Sequence, residues 1–119
     1  MGLDASIYKF EKIYNVYDKR IDFVDFLNNT DNEDMFTNMQ EGFYITNRYV
    51  NNIIMCCIKE VTGDNYCEES ASIITKEVLK RSLKKINNNV NYKIYADKIE
   101  KQIKIMNEEK YDYLYHVTY

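Results

Sequence analysis

The chain has 119 residues, of which 45% are hydrophobic and 29% charged, a balance typical of one globular domain that buries its own core. Its net charge of −3 argues against a general nucleic-acid-binding protein, because phosphate contacts require a basic face. No apolar run is long enough to cross a membrane, and the N-terminal residues do not have the pattern of a signal peptide. We therefore expect a single domain over residues 1–119, without a cofactor.

The first predicted element is a strand. Met1–Ile13 contains β-branched and aromatic residues in rough alternation, with Leu3, Ala5 and Ile7 on one face. The next apolar stretch, Asp18–Phe36, fits a short strand or two helical turns equally well, because its apolar residues follow neither period over enough positions. Its structure therefore stays open at this point.

Three amphipathic helices are predicted next, over Tyr44–Val61, Lys76–Ile86 and Tyr92–Glu108, since apolar residues recur there at three- and four-residue steps. The first helix has the widest apolar arc and is expected to be the central buried helix. Gly63 is suited to the left-handed conformation just past its end. Thr75 is suited to cap the second helix, because its hydroxyl can accept a hydrogen bond from a free backbone N–H.

The C-terminal segment Tyr111–Tyr119 changes to a two-residue period and is strongly strand-like. Its tyrosines at odd positions are expected to pack on the helices, with Asp112 and His116 pointing outward. A strand at each end of the chain suggests that the two ends pair with each other. The sequence thus predicts an α+β fold, in which a small antiparallel sheet formed by the N- and C-terminal strands packs with about three helices.

Few residues suggest chemistry. Cys56, Cys57, Cys67 and His116 supply four nominal zinc ligands, but adjacent cysteines on a helix point about 100° apart and cannot easily meet one ion. We interpret the cysteines as small apolar thiols in a reducing cytosol. His116 has no catalytic partner evident in the sequence, and the glycines do not cluster as a phosphate loop would require. We expect no catalytic residue, no metal site and no enzyme activity.

Two acidic clusters are the candidate binding residues. One falls in the turn-rich segment Asn28–Asp34, and the other follows Gly63. They are either solvated loop charge or an acidic surface that engages a basic partner. The lysine-rich face of the second helix is interpreted as a solvated face rather than a nucleic-acid contact. The candidate partner-binding residues are Asp31, Glu33, Asp34, Asp64, Glu68 and Glu69.

Several short motifs occur in an order that resembles a group of small phage-encoded proteins. These proteins open with "MGLD" before an aromatic strand and end in an aromatic-rich segment. In this chain "MGLD" opens the sequence, "VNNI" (Val50–Ile53) lies in the first helix, "GDNYCEES" (Gly63–Ser70) forms a turn, and Tyr111–Tyr119 is the aromatic end. The resemblance implies a phage or mobile-element origin, a cytosolic setting and no known enzyme chemistry, and it assigns no residue a role.

These features together favour a small phage protein that binds and disables a host defence protein in the host cytosol, as anti-CRISPR proteins do. Its partner would be a host effector with a basic groove for nucleic acid, and neither direct nucleic-acid binding nor a membrane is expected. One alternative is a homodimer built by pairing an exposed terminal strand. A further alternative is a viral immune modulator of helical type.

Overall fold

Among the described residues, the chain forms four strands and three helices. The computed structural model describes residues 3–17, 39–64, 71–86 and 89–118. Short 3₁₀ turns lie at Lys12–Tyr14 and Val90–Tyr92. Within the described ranges, no helix combines the length and the apolar character needed to cross a bilayer. The elements are β1 (Asp4–Glu11), β2 (Met39–Ile45), α1 (Arg48–Thr62), β3 (Ala71–Ile73), α2 (Lys76–Ile86), α3 (Lys93–Ile105) and β4 (Tyr111–Thr118).

The N- and C-terminal strands form the centre of one antiparallel sheet, whose strand order is β2-β1-β4-β3. β1 and β4 pair without interruption, from Asp4 opposite Thr118 to Glu11 opposite Tyr111. The helices pack on one face of this sheet, where a shared core joins them to the inward side chains of β1 and β4. The predicted α+β fold, with paired terminal strands and three helices, is confirmed.

The two edge strands were not predicted. β2 begins at Met39, in the stretch 37–43 for which the sequence predicts no element, and continues through Tyr44 and Ile45, which the sequence predicts to be part of the first helix. Gly42, at φ +81°, lies in an irregular stretch of β2 where the register with β1 shifts, and this bulge breaks the two-residue period. β3 has only three residues, too few for a periodic pattern. The ambiguous segment Asp18–Phe36 lies outside the described residues.

Side-chain and glycine caps set the limits of the first two helices. α1 begins after Asn47, whose side chain accepts a hydrogen bond from the Val50 N–H at 3.0 Å, four residues later than predicted. It ends at Gly63, where φ is +74°. The Thr75 hydroxyl accepts from the Val78 N–H at 3.3 Å, as expected, and α2 has its predicted bounds. The expectation that the first helix is the central one is wrong. The middle helix is α2, because α2 packs against both α1 and α3.

The tyrosines of β4 pack on the helices, as the two-residue period predicts. Tyr113 and Tyr115 are almost fully buried, and each hydroxyl has a hydrogen-bond partner. The Tyr115 hydroxyl donates to Asn51 Oδ1 on α1 at 2.6 Å, and the Tyr113 hydroxyl accepts from the Asn107 N–H at 2.9 Å. These two bonds let large amphipathic rings fill the core without leaving a buried polar atom unpaired.

The opposite face of the sheet is also buried, so the expectation that Asp112 and His116 point outward is wrong. Both side chains do lie on the face opposite the tyrosines, but they are only 8% and 5% exposed. Lys12 Nζ lies 3.2 Å from an Asp112 carboxylate oxygen and balances its charge. A second apolar cluster covers this face, and it consists of Tyr8, Phe10, Val16, Ala71 and Leu114, with Tyr17 and Met39 packed against it.

Tyr17 extends the hydrogen bonding of the sheet beyond the short strand β3. Its hydroxyl accepts from the Tyr113 N–H at 3.1 Å, next to the point where the Ile74 N–H donates to the Tyr113 carbonyl at 3.2 Å. Burial raises the pKa of Tyr17 to about 12, so the group is a neutral phenol at physiological pH. A side chain thus satisfies a backbone donor that a longer β3 would have paired.

Replacing Tyr115 by phenylalanine should lower the free energy of unfolding by about 1–3 kcal/mol, because Asn51 Oδ1 would lose its buried donor. The measurement is urea unfolding followed by circular dichroism. Tyr111→Phe is the matched control on the same strand, since the Tyr111 side chain is only half-buried and its hydroxyl makes no hydrogen bond within the described ranges. An equal loss in both variants would contradict the assigned role of the Tyr115–Asn51 bond.

Candidate protein-binding surface

Of the six predicted partner-binding residues, the structure describes Asp64. Its carboxylate oxygen Oδ2 accepts a hydrogen bond from the Ile73 N–H at 3.0 Å, and its own N–H donates to the Thr62 hydroxyl at 3.2 Å. Asp64 thereby ties the end of α1 to β3 and is half-buried. The other five predicted residues lie outside the described ranges, and they are Asp31, Glu33, Asp34, Glu68 and Glu69.

The cysteines and the histidine lie in different parts of the fold. Cys56 is exposed and Cys57 is buried on α1, whereas His116 lies on β4, on the face away from the helices. Cys67 is outside the described residues. Within the four described ranges, no three His, Cys, Asp or Glu side chains lie close enough together to hold a metal ion.

His116 is enclosed in the apolar face of the sheet. Its ring meets the Tyr8 ring edge to face, with 6.0 Å between the centroids, and Ser6 stands opposite it on β1. Burial lowers the pKa of His116 below the ordinary 6.5, because the charged imidazolium is poorly solvated there. The group is therefore held as a neutral side chain near physiological pH.

The clearest exposed feature is an aromatic surface where the end of β2, the start of α1 and the start of α3 meet. It consists of four tyrosines, which we call the tyrosine surface: Tyr44, Tyr49, Tyr92 and Tyr95. Tyr49 is 51% exposed although it is aromatic, and its ring stacks on that of Tyr92 with 4.9 Å between centroids and 25° between planes. This offset stacking supports both rings at the surface.

Polar contacts hold the remaining rings of the tyrosine surface in place. The Tyr44 hydroxyl donates to the Asp4 carboxylate, which raises the pKa of Tyr44. The Tyr95 and Thr46 hydroxyls lie 3.3 Å apart. Lys98 Nζ donates to the Tyr44 carbonyl oxygen at 3.1 Å and lies 5.6 Å from the centre of the Tyr95 ring. A surface arranged in this way loses less side-chain freedom on binding.

Two exposed aliphatic residues lie two positions before and two positions after Tyr92 in the chain. Val90 is 89% exposed in the 3₁₀ turn that contains Tyr92, and Ile94 is 69% exposed on the first turn of α3. Large apolar groups gathered in one region mark interaction sites, and tyrosine is enriched in protein interfaces because it joins apolar area to a polar tip. The arrangement therefore fits a protein-binding surface.

The sequence did not identify this surface. The predicted helix Tyr44–Val61 includes both Tyr44 and Tyr49, whereas Tyr44 lies near the end of β2. The helical period predicts which face of a helix is buried, but Tyr49 on the first turn of α1 is half exposed although its neighbour Val50 is buried. The frequency of tyrosine, twelve in the chain, was the available signal, and it does not say which tyrosines are exposed.

No protein-family model matches this chain, and neither a curated protein nor a solved structure matches it.

Acidification should destabilise the protein through His116. Because its pKa in the folded state is lowered, its contribution is intact above pH 6.5 and is lost as the pH falls from 6.5 toward the folded-state pKa. Urea unfolding at pH 7.5 and pH 5.5 should show a smaller difference for His116→Gln than for the wild type. An equal pH dependence in the two proteins would mean that His116 does not couple folding to protonation.

Proposed function

We propose that this chain is a small phage or mobile-element protein that binds and inhibits a host defence protein by protein–protein contact, without catalysis. The observation that supports it most directly is the tyrosine surface with its aliphatic neighbours Val90 and Ile94. Two exposed tyrosines, Tyr44 and Tyr49, beside the half-buried Tyr92 and Tyr95 form a preorganised aromatic cluster of the kind found at contact surfaces. In this proposal the protein acts in the host cytosol, as the resemblance to small phage proteins implies.

A second contact would come from the acidic residues predicted from the sequence. The three helices carry eleven Lys and Arg against four Asp and Glu, a net charge of +7, whereas the whole chain carries −3. The rest of the chain therefore carries −10, and it contains all six predicted binding residues. Such segregation of charge between the helices and the rest of the sequence favours a host effector whose basic groove contacts the acidic residues outside the helices.

The alternatives require other surfaces. In the homodimer hypothesis the terminal strand pairs through an exposed edge, but β4 lies inside the sheet, between β1 and β3. A dimer would therefore have to form through another surface, such as the tyrosine surface. A viral immune modulator of helical type would not contain the four-stranded sheet at the centre of this fold.

The double variant Tyr49→Ala/Ile94→Ala should abolish inhibition, because truncating exposed anchor residues removes most of the contact energy. The assay is the plating efficiency of a sensitive phage on a host that carries the defence system and expresses the variant. Thermal unfolding should be nearly unchanged, since both side chains are more than half exposed.

The matched control is Ile13→Ala/Tyr14→Ala, which removes an equally exposed isoleucine and tyrosine. These residues follow the end of β1, whereas the tyrosine surface adjoins its start through the Tyr44–Asp4 bond, a separation of about 25 Å along the strand. The control should inhibit like the wild type. If both double variants inhibit normally, the tyrosine surface is not the contact.

Charge reversal to lysine at Glu33, Asp34, Glu68 and Glu69 should weaken binding to the purified host partner by at least about tenfold at low salt. The control, with the same change in net charge, replaces Glu11, Asp97, Glu108 and Glu109, all of which are exposed. Isothermal titration calorimetry would measure both. Unchanged affinity in the first variant would refute the electrostatic contact.

A further inference from the structure

A shallow groove runs between the edge strand β2 and the second half of α3. It encloses about 330 Å³ and is lined by Gly42, Lys98, Lys101, Gln102, Lys104 and Ile105. The buried Gln102 side chain reaches Gln40 Oε1 on β2 at 3.5 Å, so a polar contact joins the two walls. A Cβ added at Gly42 would meet no atom within 4 Å, which leaves the groove open at that residue.

Three lysines give the groove a positive rim. Lys98 Nζ contacts a backbone carbonyl oxygen rather than a carboxylate. Lys101 and Lys104 form no ion pair with any residue of the described ranges, although Asp97 and Glu100 precede them by four positions. The charge of these two ammonium groups is thus not balanced by a contacting carboxylate in the described part of the fold.

Two of the five basic residues of α2, Arg81 and Lys85, do contact carboxylates. Glu60 on α1 lies 3.0 Å from Lys85 and 3.7 Å from Arg81, and Glu77 lies 3.2 Å from Arg81. These contacts partly neutralise α2, whereas the rim of the groove on α3 keeps its charge. The three helices together carry +7 whereas the whole chain carries −3, so the helical wall of the groove belongs to the basic part of the chain.

The groove also has apolar character. Ile105 is 58% exposed at one end, and the methylene stems of the lysines line the walls. None of the lining residues in the described ranges carries an aromatic ring, and the Tyr95 ring lies beyond Lys98, outside the groove. In grooves for single-stranded nucleic acid, successive bases stack on rings within the groove itself. Positive charge around an apolar floor instead fits a polypeptide with both acidic and apolar side chains.

We propose that this groove binds an acidic segment of the partner protein, with Asp or Glu side chains on Lys101 and Lys104 and an apolar side chain against Ile105. The proposal rests on the proposed function, because it specifies the chemistry of the partner's docking segment. The docking segment would be a local acidic stretch of a partner whose larger surface is basic. The adjoining tyrosine surface, linked to the groove through Lys98, would contact neighbouring parts of the same partner.

The test uses the purified full chain and a fluorescein-labelled peptide of about eight residues that alternates glutamate with leucine. An extended peptide of that length covers the roughly 20 Å of α3. Fluorescence polarisation should detect binding that weakens as salt is added, and amide chemical shifts should change at Gly42 and along 98–105. A peptide with lysine in place of glutamate should not bind, and an oligothymidylate of equal charge should bind more weakly.

Lys101→Glu/Lys104→Glu should weaken peptide binding by at least about tenfold. The matched control is Lys80→Glu/Lys84→Glu, which makes the same change in net charge at a depression of about 290 Å³ on α2 and should bind the peptide within about twofold of the wild type. An equal loss in both variants, the absence of peptide binding, or oligothymidylate binding as tight as that of the peptide would each overturn the proposal. Since this assay needs no host, its failure leaves the phage-plating test of the proposed function unaffected.

Discussion

The pairing of β1 with β4 is the constraint on which the other elements depend. It joins residues 100 to 114 positions apart, from Glu11 opposite Tyr111 to Asp4 opposite Thr118, and it places both terminal strands in the middle of the sheet. β2 pairs with the outer edge of β1 and β3 with the outer edge of β4, so the four strands form one sheet only through this centre. Loop closure over such a separation is costly in chain entropy, so burial on both faces has to compensate for it.

Burial on both faces explains how one strand contains such different side chains. Toward the helices, β4 presents tyrosines whose hydroxyls bond to Asn51 and to the backbone of Asn107. Toward the other side it presents Leu114, flanked by the polar residues Asp112 and His116. Polar side chains are tolerated on both buried faces because their polar atoms are hydrogen-bonded. Within the described ranges, no buried side-chain nitrogen or oxygen lacks a hydrogen bond.

The same residue type performs two tasks in this protein, and position in the fold decides which. Tyrosines on β4 are core residues, whereas Tyr44 and Tyr49 lie at the surface because they are at the ends of β2 and α1. The helical layer adds a strong positive charge beside the tyrosine surface, and the rest of the chain is acidic. In the proposed function, a partner would therefore contact three features: the exposed aromatic rings, the basic groove and the acidic residues outside the helices.

The sequence by itself determined the elements whose patterns are long and regular. The two-residue period of Tyr111–Tyr119, the four-residue steps of α2 and α3, and the capping residues Thr75 and Gly63 predicted the α+β fold and the pairing of the chain ends. Such patterns are local, because the spacing of apolar residues within a segment of about ten residues indicates which face of that helix or strand is buried. The alternation of β4 therefore placed its tyrosines on the helices correctly.

Only the tertiary structure decided what depends on neighbours distant in the chain. The bulge at Gly42 and the three residues of β3 carry no readable period, so both edge strands were missed. The two-residue alternation of side chains does not show whether the second face of a sheet is exposed to solvent or covered by other residues. The expectation that His116 lies at the surface was wrong for this reason. The tyrosine surface likewise arises from three element ends meeting in space, a juxtaposition that no local pattern encodes.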